Sequence, residues 1–283
     1  MSLETPRIAI LVDTATAWGR HTNRGILNYS LEHGPWDGWV TTKGQEERFA
    51  LPANEHFDGV IARIATEELH AALQRSQLPV VNISSIELAN QAFPRVIMDI
   101  DTSSDLAIEH FNHRALKNCA YIGANNGDYD SKHVAAFEKA AARGGMSCHV
   151  YPSTESPSNT DLRDASQQRL VAWLQHLPKP IGIYTRNSSI GRDAIAACRK
   201  AGLEVPHDVA ILGADYDDLL SDASHPALSG ILTPAQQVGY QAASILHQQV
   251  RGEPISKNTI LIAPNTVIER LSTEMLAIDD QQT

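Results

Sequence analysis

Short apolar runs recur along this chain, and each leads within a few residues into a stretch with helical spacing. Residues 7–12 (RIAILV) precede 20–33, where Ile26, Leu27 and Leu31 fall on one side. Residues 57–62 (FDGVIA) precede a helical stretch at 66–75, and the runs at 78–83 and 95–98 precede one at 102–115. The cycle then restarts, with strands predicted at 119–122, 147–151, 180–184 and 209–212 and helices at 131–143, 162–176 and 188–201. A short run that stays apolar throughout reads as a strand covered on both faces. Strands that alternate with helices build βαβ units and parallel sheets. Two such series of similar length predict an α/β chain of two Rossmann-like lobes. The 283 residues suffice for two domains of ordinary size.

In open α/β sheets, ligands bind beyond the carboxyl ends of the strands. That rule singles out the segments 13–14, 82–85, 99–101, 123–130, 185–189 and 213–218, each polar or acidic. The last opens the stretch ILGADYDDLLSD (211–222), with aspartates at 215, 217, 218 and 222. Those aspartates lack the alternating oxygen ligands and closing Glu of an EF-hand. His110, His113 and Cys119 straddle a helix end and a strand, which favours solvated helix-end residues over a metal site. Neither GxxxxGK[ST] nor GxGxxG follows any strand, so no phosphate cradle or cofactor is expected. The loop at 123–127 reads as a structural turn. There is no GxSxG elbow, and Cys198 sits mid-helix as a core residue. The chain is not expected to be an enzyme.

A polyol clamp fits the pattern better. Sugar hydroxyls are held by paired acceptors and donors, with an aromatic against the apolar ring face. Asp13, Asp101, Asn187 and Asp215 fall at predicted strand ends, and Trp18 and Tyr184 lie close to such ends. Taken singly, each is as well suited to a structural role. Asp101 could cap the helix at 102–115, and Asn187 the helix at 188–201.

Composition bounds the partners. The formal net charge of −10 and the lack of a basic cluster argue against this segment gripping nucleic acid. Three widely spaced cysteines suit a reducing compartment rather than a disulfide framework. No apolar run reaches the length of a membrane span, and residues 1–6 lack a secretory core, so a cytoplasmic location is expected. One stretch, 234–250, carries no Lys, Arg, Asp or Glu. With Thr233 as cap, Pro234 at the first position and Gly252 as terminator, it reads as a helix buried by packing.

The run ILGADYDDLLSDASHPALSGILTPAQQVGYQAASILHQQVRGEP (211–254) resembles the sugar-sensing domain of lactose/galactose-repressor-type regulators. The tail VIERLSTEMLAIDD (267–280) sharpens the likeness to xylose operon regulators. The resemblance spans roughly residues 6–280 and implies a type I periplasmic-binding-protein-like fold with three crossovers. It divides the chain into an N-terminal lobe (6–111 and 231–257), a C-terminal lobe (112–230 and 258–271) and a linker (272–283). It also implies an AraC-type helix-turn-helix domain beyond residue 283, through which DNA would be bound, and a homodimer. By position, Asp215, Asn187 and Asp101 match the family's sugar contacts, and Asp13 falls in the first-strand loop. His133 stands where the family often places an Arg. Asp217, Asp218 and Asp222 have no counterpart and read as solvated. The mechanism implied is closure of the two lobes on a sugar. A rival class is the solute-binding protein of a sugar transporter.

Overall fold

In the computed structural model the described residues are 5–40, 42, 44, 49–52, 54–90, 92–123, 128–152, 160–255 and 258–275. The expected turn at 124–127, most of the loop at 152–160 and the linker from 276 onward lie outside them. The described chain forms two compact units, one of residues 1–99 and 234–263 and the other of 100–233 and 264–283, so the chain passes between units three times.

In chain order the elements are β1 (Arg7–Leu11), α1 (Ala17–His33), β2 (Asp37–Val40), β3 (Gly59–Ala62), α2 (Glu67–Ser76), β4 (Val80–Asn82) and β5 (Arg95–Met98). There follow α3 (Ile100–Asn112), β6 (Asn118–Ile122), α4 (Asp128–Arg143), β7 (Ser147–Val150), α5 (Thr160–His176), β8 (Ile181–Thr185) and α6 (Ser188–Ala201). The last are β9 (Val209–Gly213), α7 (Asp218–Asp222), β10 (Ser229–Ile231), α8 (Ala235–Val250), β11 (Thr259–Ile262) and β12 (Val267–Ile268).

The first unit holds one sheet in the order β2-β1-β3-β4-β5-β11, and the second repeats that order as β7-β6-β8-β9-β10-β12. Among the described residues the strand pairings are parallel except that of β12 with β10. Each sheet is covered on both faces, as its apolar runs require. In β1, Ile8 and Ile10 join one core with Ile26 of α1 and Val238 of α8, while Ala9 and Leu11 join another with Leu69 and Leu73 of α2. In β9, Ala210 and Leu212 pack with Phe111 and Phe137, while Val209 and Ile211 pack with Ile195 and Leu174. Strand order reverses between β1 and β3 and between β6 and β8, and a parallel sheet opens its binding crevice at such switch points.

Two expected boundaries move. Helix α3, expected in the first lobe, belongs to the second unit, because Ala107, Ile108 and Phe111 complete the core around Phe137 and Tyr184. The segment 258–271, expected in the C-terminal lobe, divides. Thr259–Ile262 extends the first sheet beside β5, and only Val267–Ile268 reaches the second, beside β10. Nor do residues 272–275 act as a linker. Ser272 is buried, donates from its hydroxyl to the Ile211 carbonyl at 2.6 Å and accepts from Ser229 N at 2.8 Å.

The uncharged helix α8 packs on α1 and against β3, β4 and β5, burying Val238, Ala242, Ile245 and Leu246. Two glycines set the approach. A Cβ on Gly239 would sit 2.1 Å from the Thr22 carbonyl oxygen, and one on Gly25 would sit 2.0 Å from that of Gln236. Only glycine permits backbones this close. Pro234 precedes α8 without a side-chain cap, so Thr233 does not play the expected role, while Gly252 (φ 71°) follows its end.

Candidate functional site

In the second unit, the carboxyl ends of β8 and β9 bring three side chains together. Asp215, two residues past β9, accepts at Oδ1 from the Ser188 backbone N–H and hydroxyl, both at 2.6 Å. Its Oδ2 has no protein partner among the described residues. Burial raises the Asp215 pKa, and the two Ser188 bonds and the Arg186 charge pull against it. Asn187 caps α6, as its position predicted, with Oδ1 accepting from Ile190 N at 2.9 Å. That commits its oxygen and leaves its amide N–H groups as donors. The loop is pinned from below by the buried Thr185, whose hydroxyl donates to the Asn187 carbonyl at 3.1 Å.

At the switch point of the same sheet, Arg186 follows β8 and Asp130 lies in the first turn of α4, with Nε 3.7 Å from Oδ1. Neither residue was among the expected contacts, although both lie in the strand-end segments that the sequence pointed to. His133 is buried on the inward side of α4, one turn before Phe137 in the core. Lys132 is exposed. The arginine expected at the start of α4 is thus absent, and a guanidinium instead enters this region from the β8 end.

In the first unit, Asp13 follows β1 and is 2% exposed. Its Oδ1 accepts from Thr16 N at 3.0 Å and Thr16 Oγ1 at 2.7 Å, and its carbonyl accepts from Asn23 Nδ2 at 3.4 Å. Thr16 in turn caps α1. Trp18 is half-buried, and the Arg63 guanidinium lies over its ring, 5.7 Å from the centroid. Arg63 is the first residue past β3, at this sheet's switch point, and was not foreseen. A cavity of about 770 Å³ in this unit is lined by Asp13, Arg63 and Thr66 together with Phe57, Leu69 and Leu73.

Two expected contacts have other placements. Tyr184 lies inside β8, which runs one residue further than its apolar pattern indicated. A residue within a strand points into a face layer rather than past the strand end. Its ring is 2% exposed and stacked on Phe137 at 5.2 Å, and its hydroxyl is 2.8 Å from Ser103 Oγ. It offers no open face to a sugar ring. Asp101 does not cap α3: the helix starts at Ile100, which puts Asp101 in its first turn, exposed.

The remaining aspartates of 211–222 are structural or solvated. Asp217 caps α7, accepting from Leu220 N at 3.2 Å, Asp218 is exposed, and Asp222 lies 3.7 Å from Arg270 Nε. Among the described residues, no group of three or more His, Cys, Asp or Glu is placed to hold a metal ion. His110 is buried against Thr273, away from such a role. Cys198 is fully buried, and desolvation pushes its thiol up to about 12, the reverse of an activated nucleophile. No described helix is long and apolar enough to cross a membrane.

Two doubly wound lobes of like strand order, crossed three times by the chain, define a two-lobed periplasmic-binding-protein-like fold. The chain belongs to the family of periplasmic binding protein-like domains, whose model matches residues 108–273. It is similar to the xylose operon regulatory proteins of Haemophilus influenzae (25% identical, covering 97% of this chain and 72% of that protein) and of Escherichia coli strain K12 (27% identical, 97% and 71%). A solved structure of a xylose-binding transcription activator superposes with a TM-score of 0.85 at 26% identity, covering 99% of this chain and 72% of that one.

Proposed function

We propose that this chain is the effector-sensing domain of a bacterial transcription regulator, that it is not an enzyme, and that its effector is a small sugar or sugar derivative of the size of xylose and related aldoses. The observation that carries the reading is the Asp215 carboxylate. One oxygen is locked by Ser188 and the other has no protein partner among the described residues, while Asn187, the residue before Ser188, commits only its amide oxygen, to Ile190 N. An acceptor and a donor carried at the ends of the neighbouring strands β9 and β8 match the hydroxyls of a polyol. Arg186, Asp130 and His133 from the second unit and Asp13, Trp18 and Arg63 from the first complete the proposed contacts. Tyr184 supports the β8 end from beneath, and Asp101 is a peripheral contact at most. Similarity to xylose operon regulators along nearly the whole chain supports a sugar-derived effector of that size.

The proposed transmission step is closure. A sugar touched by both lobes binds the closed form better and shifts the population toward it. The closed form would then reposition an AraC-type DNA-binding domain that follows this one, within a cytoplasmic homodimer. Small-angle scattering with and without effector tests closure, since an unchanged radius of gyration at saturation rejects it.

Thermal unfolding with a panel of pentoses, hexoses and their acids tests the effector. At about 100 times the dissociation constant, a ligand adds roughly 2.7 kcal/mol, a rise of several degrees for a chain of this size. One compound is expected to stabilise the chain, and Asp215→Asn to remove that effect. If nothing in the panel shifts the transition at millimolar concentration, the sensor reading is rejected.

A further inference from the structure

We propose that the effector carries a carboxylate and that Arg63 binds it, which makes the ligand class a sugar acid, an aldonate or a uronate, rather than a neutral aldose. This deepens the sensor reading and rests on it.

The fold contains an internal repeat. Arg63 is the first residue past β3, and its backbone N donates to the carbonyl of Leu11, the last residue of β1, at 3.1 Å. Arg186 is the first residue past β8, and its backbone N donates to the carbonyl of Ile122, the last residue of β6, at 3.0 Å. The two arginines therefore hold the same position at the switch points of two sheets of the same order. A parallel sheet presents its ligand-binding edge there.

Their charges are treated differently. In the second unit, the first turn of α4 supplies Asp130 to Arg186. In the first unit, the first turn of α1 contains no acid. The residue at the matching step beyond β1 is Gly19, and a Cβ there would fall 2.1 Å from the Asp13 carbonyl oxygen and 2.8 Å from its Oδ1. No carboxylate-bearing side chain fits in that place. Trp18 takes over instead, with its ring under the Arg63 guanidinium. A cation over an aromatic face is held in place without being neutralised. Arg63 makes no ion pair among the described residues, and Oδ1 of the neighbouring Asp13 is committed to Thr16.

Arg63 also lines the cavity of about 770 Å³, within the size range of small-ligand sites. A guanidinium fork set on a strand end matches the two oxygens of a carboxylate with charge-assisted bonds, whereas a pair of sugar hydroxyls would accept from it only through neutral oxygens, at roughly half the strength. Asp13, Glu55 and Glu68 also line this cavity, but among the described residues none of them is ion-paired with Arg63, and the proposed ligand carboxylate takes that place.

The test is calorimetric titration of the chain with matched pairs: xylose and xylonate, glucose and glucuronate, galactose and galacturonate. One acid is expected to bind at least about tenfold tighter than its aldose, with a margin that shrinks as salt rises. Arg63→Gln should collapse the ratio of the two affinities to about one, and Arg63→Lys should keep part of it, since a lysine retains the charge but loses the fork. The melting temperature of each unliganded variant reports on its folding. If Arg63→Gln fails to fold, the lowered ratio in Arg63→Lys carries the test. An aldose that binds as tightly as its acid, or a ratio that survives substitution of Arg63, overturns this proposal while leaving the sensor reading intact. Binding of neither member of any pair overturns both.

Discussion

Asp215 Oδ1 accepts two hydrogen bonds from one residue, Ser188, through the backbone N–H and the hydroxyl, both at 2.6 Å. Burial nevertheless holds the Asp215 pKa above its ordinary value, so ionising this carboxyl costs the unliganded fold. A carboxyl whose pKa is raised by folding contributes stability that is present below its unfolded value and lost as pH rises through the folded one. At neutral pH, Asp215→Asn removes that cost and keeps an oxygen for Ser188. The unliganded variant should therefore melt no lower than the parent while losing the thermal shift given by the effector. A melting point several degrees lower would mean that the carboxylate supports the fold and is not a strained ligand contact.

Ser188 orients Asp215 through a hydroxyl that also lies 3.2 Å from the Asp215 carbonyl. Ser188→Ala removes the hydroxyl bonds and leaves the backbone donor in place. A hydrogen bond to a charged group contributes roughly 1.5–3 kcal/mol, so effector affinity should fall by about tenfold or more. Calorimetric titration of Ser188→Ala checks this. Unchanged affinity would show that the backbone bond alone positions the carboxylate.

What the sequence disclosed and what it withheld have physical reasons. Buried parallel strands are continuous apolar runs, so β1, β5, β6 and β9 stand out. Strand β2 (DGWV) has no such signal, because as an edge strand it is mostly exposed and carries no apolar run. Asp215 and Asn187 were legible because each lies just past a strand and before a helix, where a polar side chain either caps or binds. Tyr184 misled because a one-residue error in a strand end turns a residue that faces the site into one that faces the core. Arg63 and Arg186 do not stand out in the sequence, because one arginine after a strand has no local signature. Their equivalence emerges only once the two sheet orders are set side by side.

The approach of α1 and α8 yields a prediction about stability. Gly239 has Thr22 O where its Cβ would lie, 2.1 Å away, and that atom is backbone and cannot swing aside. Gly239→Ala gains helix propensity of about 1 kcal/mol but forces the helices apart. Overpacking costs roughly 1–3 kcal/mol, and a clash with main chain falls at the upper end or beyond. The urea midpoint of Gly239→Ala should fall, and an unchanged midpoint would show that the two helices slide freely.

The segment after β12 is held by a buried histidine, and that contact should set a pH limit on the fold. His110 Nε2 lies 3.0 Å from Thr273 Oγ1, and Arg114 Nη1 lies 3.1 Å from His110 Nδ1. Because the guanidinium can only donate, Nδ1 accepts, and the neutral ring therefore carries its proton on Nε2 toward Thr273. Burial, reinforced by the Arg114 charge and opposed by Glu269, lowers the His110 pKa from 6.5 to about 4. Between those values the unfolded chain binds more protons than the folded one, so stability is full above pH 6.5 and drains away as pH falls toward 4. A shift of this size corresponds to about 3 kcal/mol. His110→Gln keeps a donor near Thr273 and cannot titrate. Its urea midpoint should start lower at pH 7, because the Arg114 contact is lost, and then fall less steeply than the parent's between pH 6.5 and 4. Parallel pH profiles for the two proteins would show that His110 takes up its proton without disturbing the Thr273 contact.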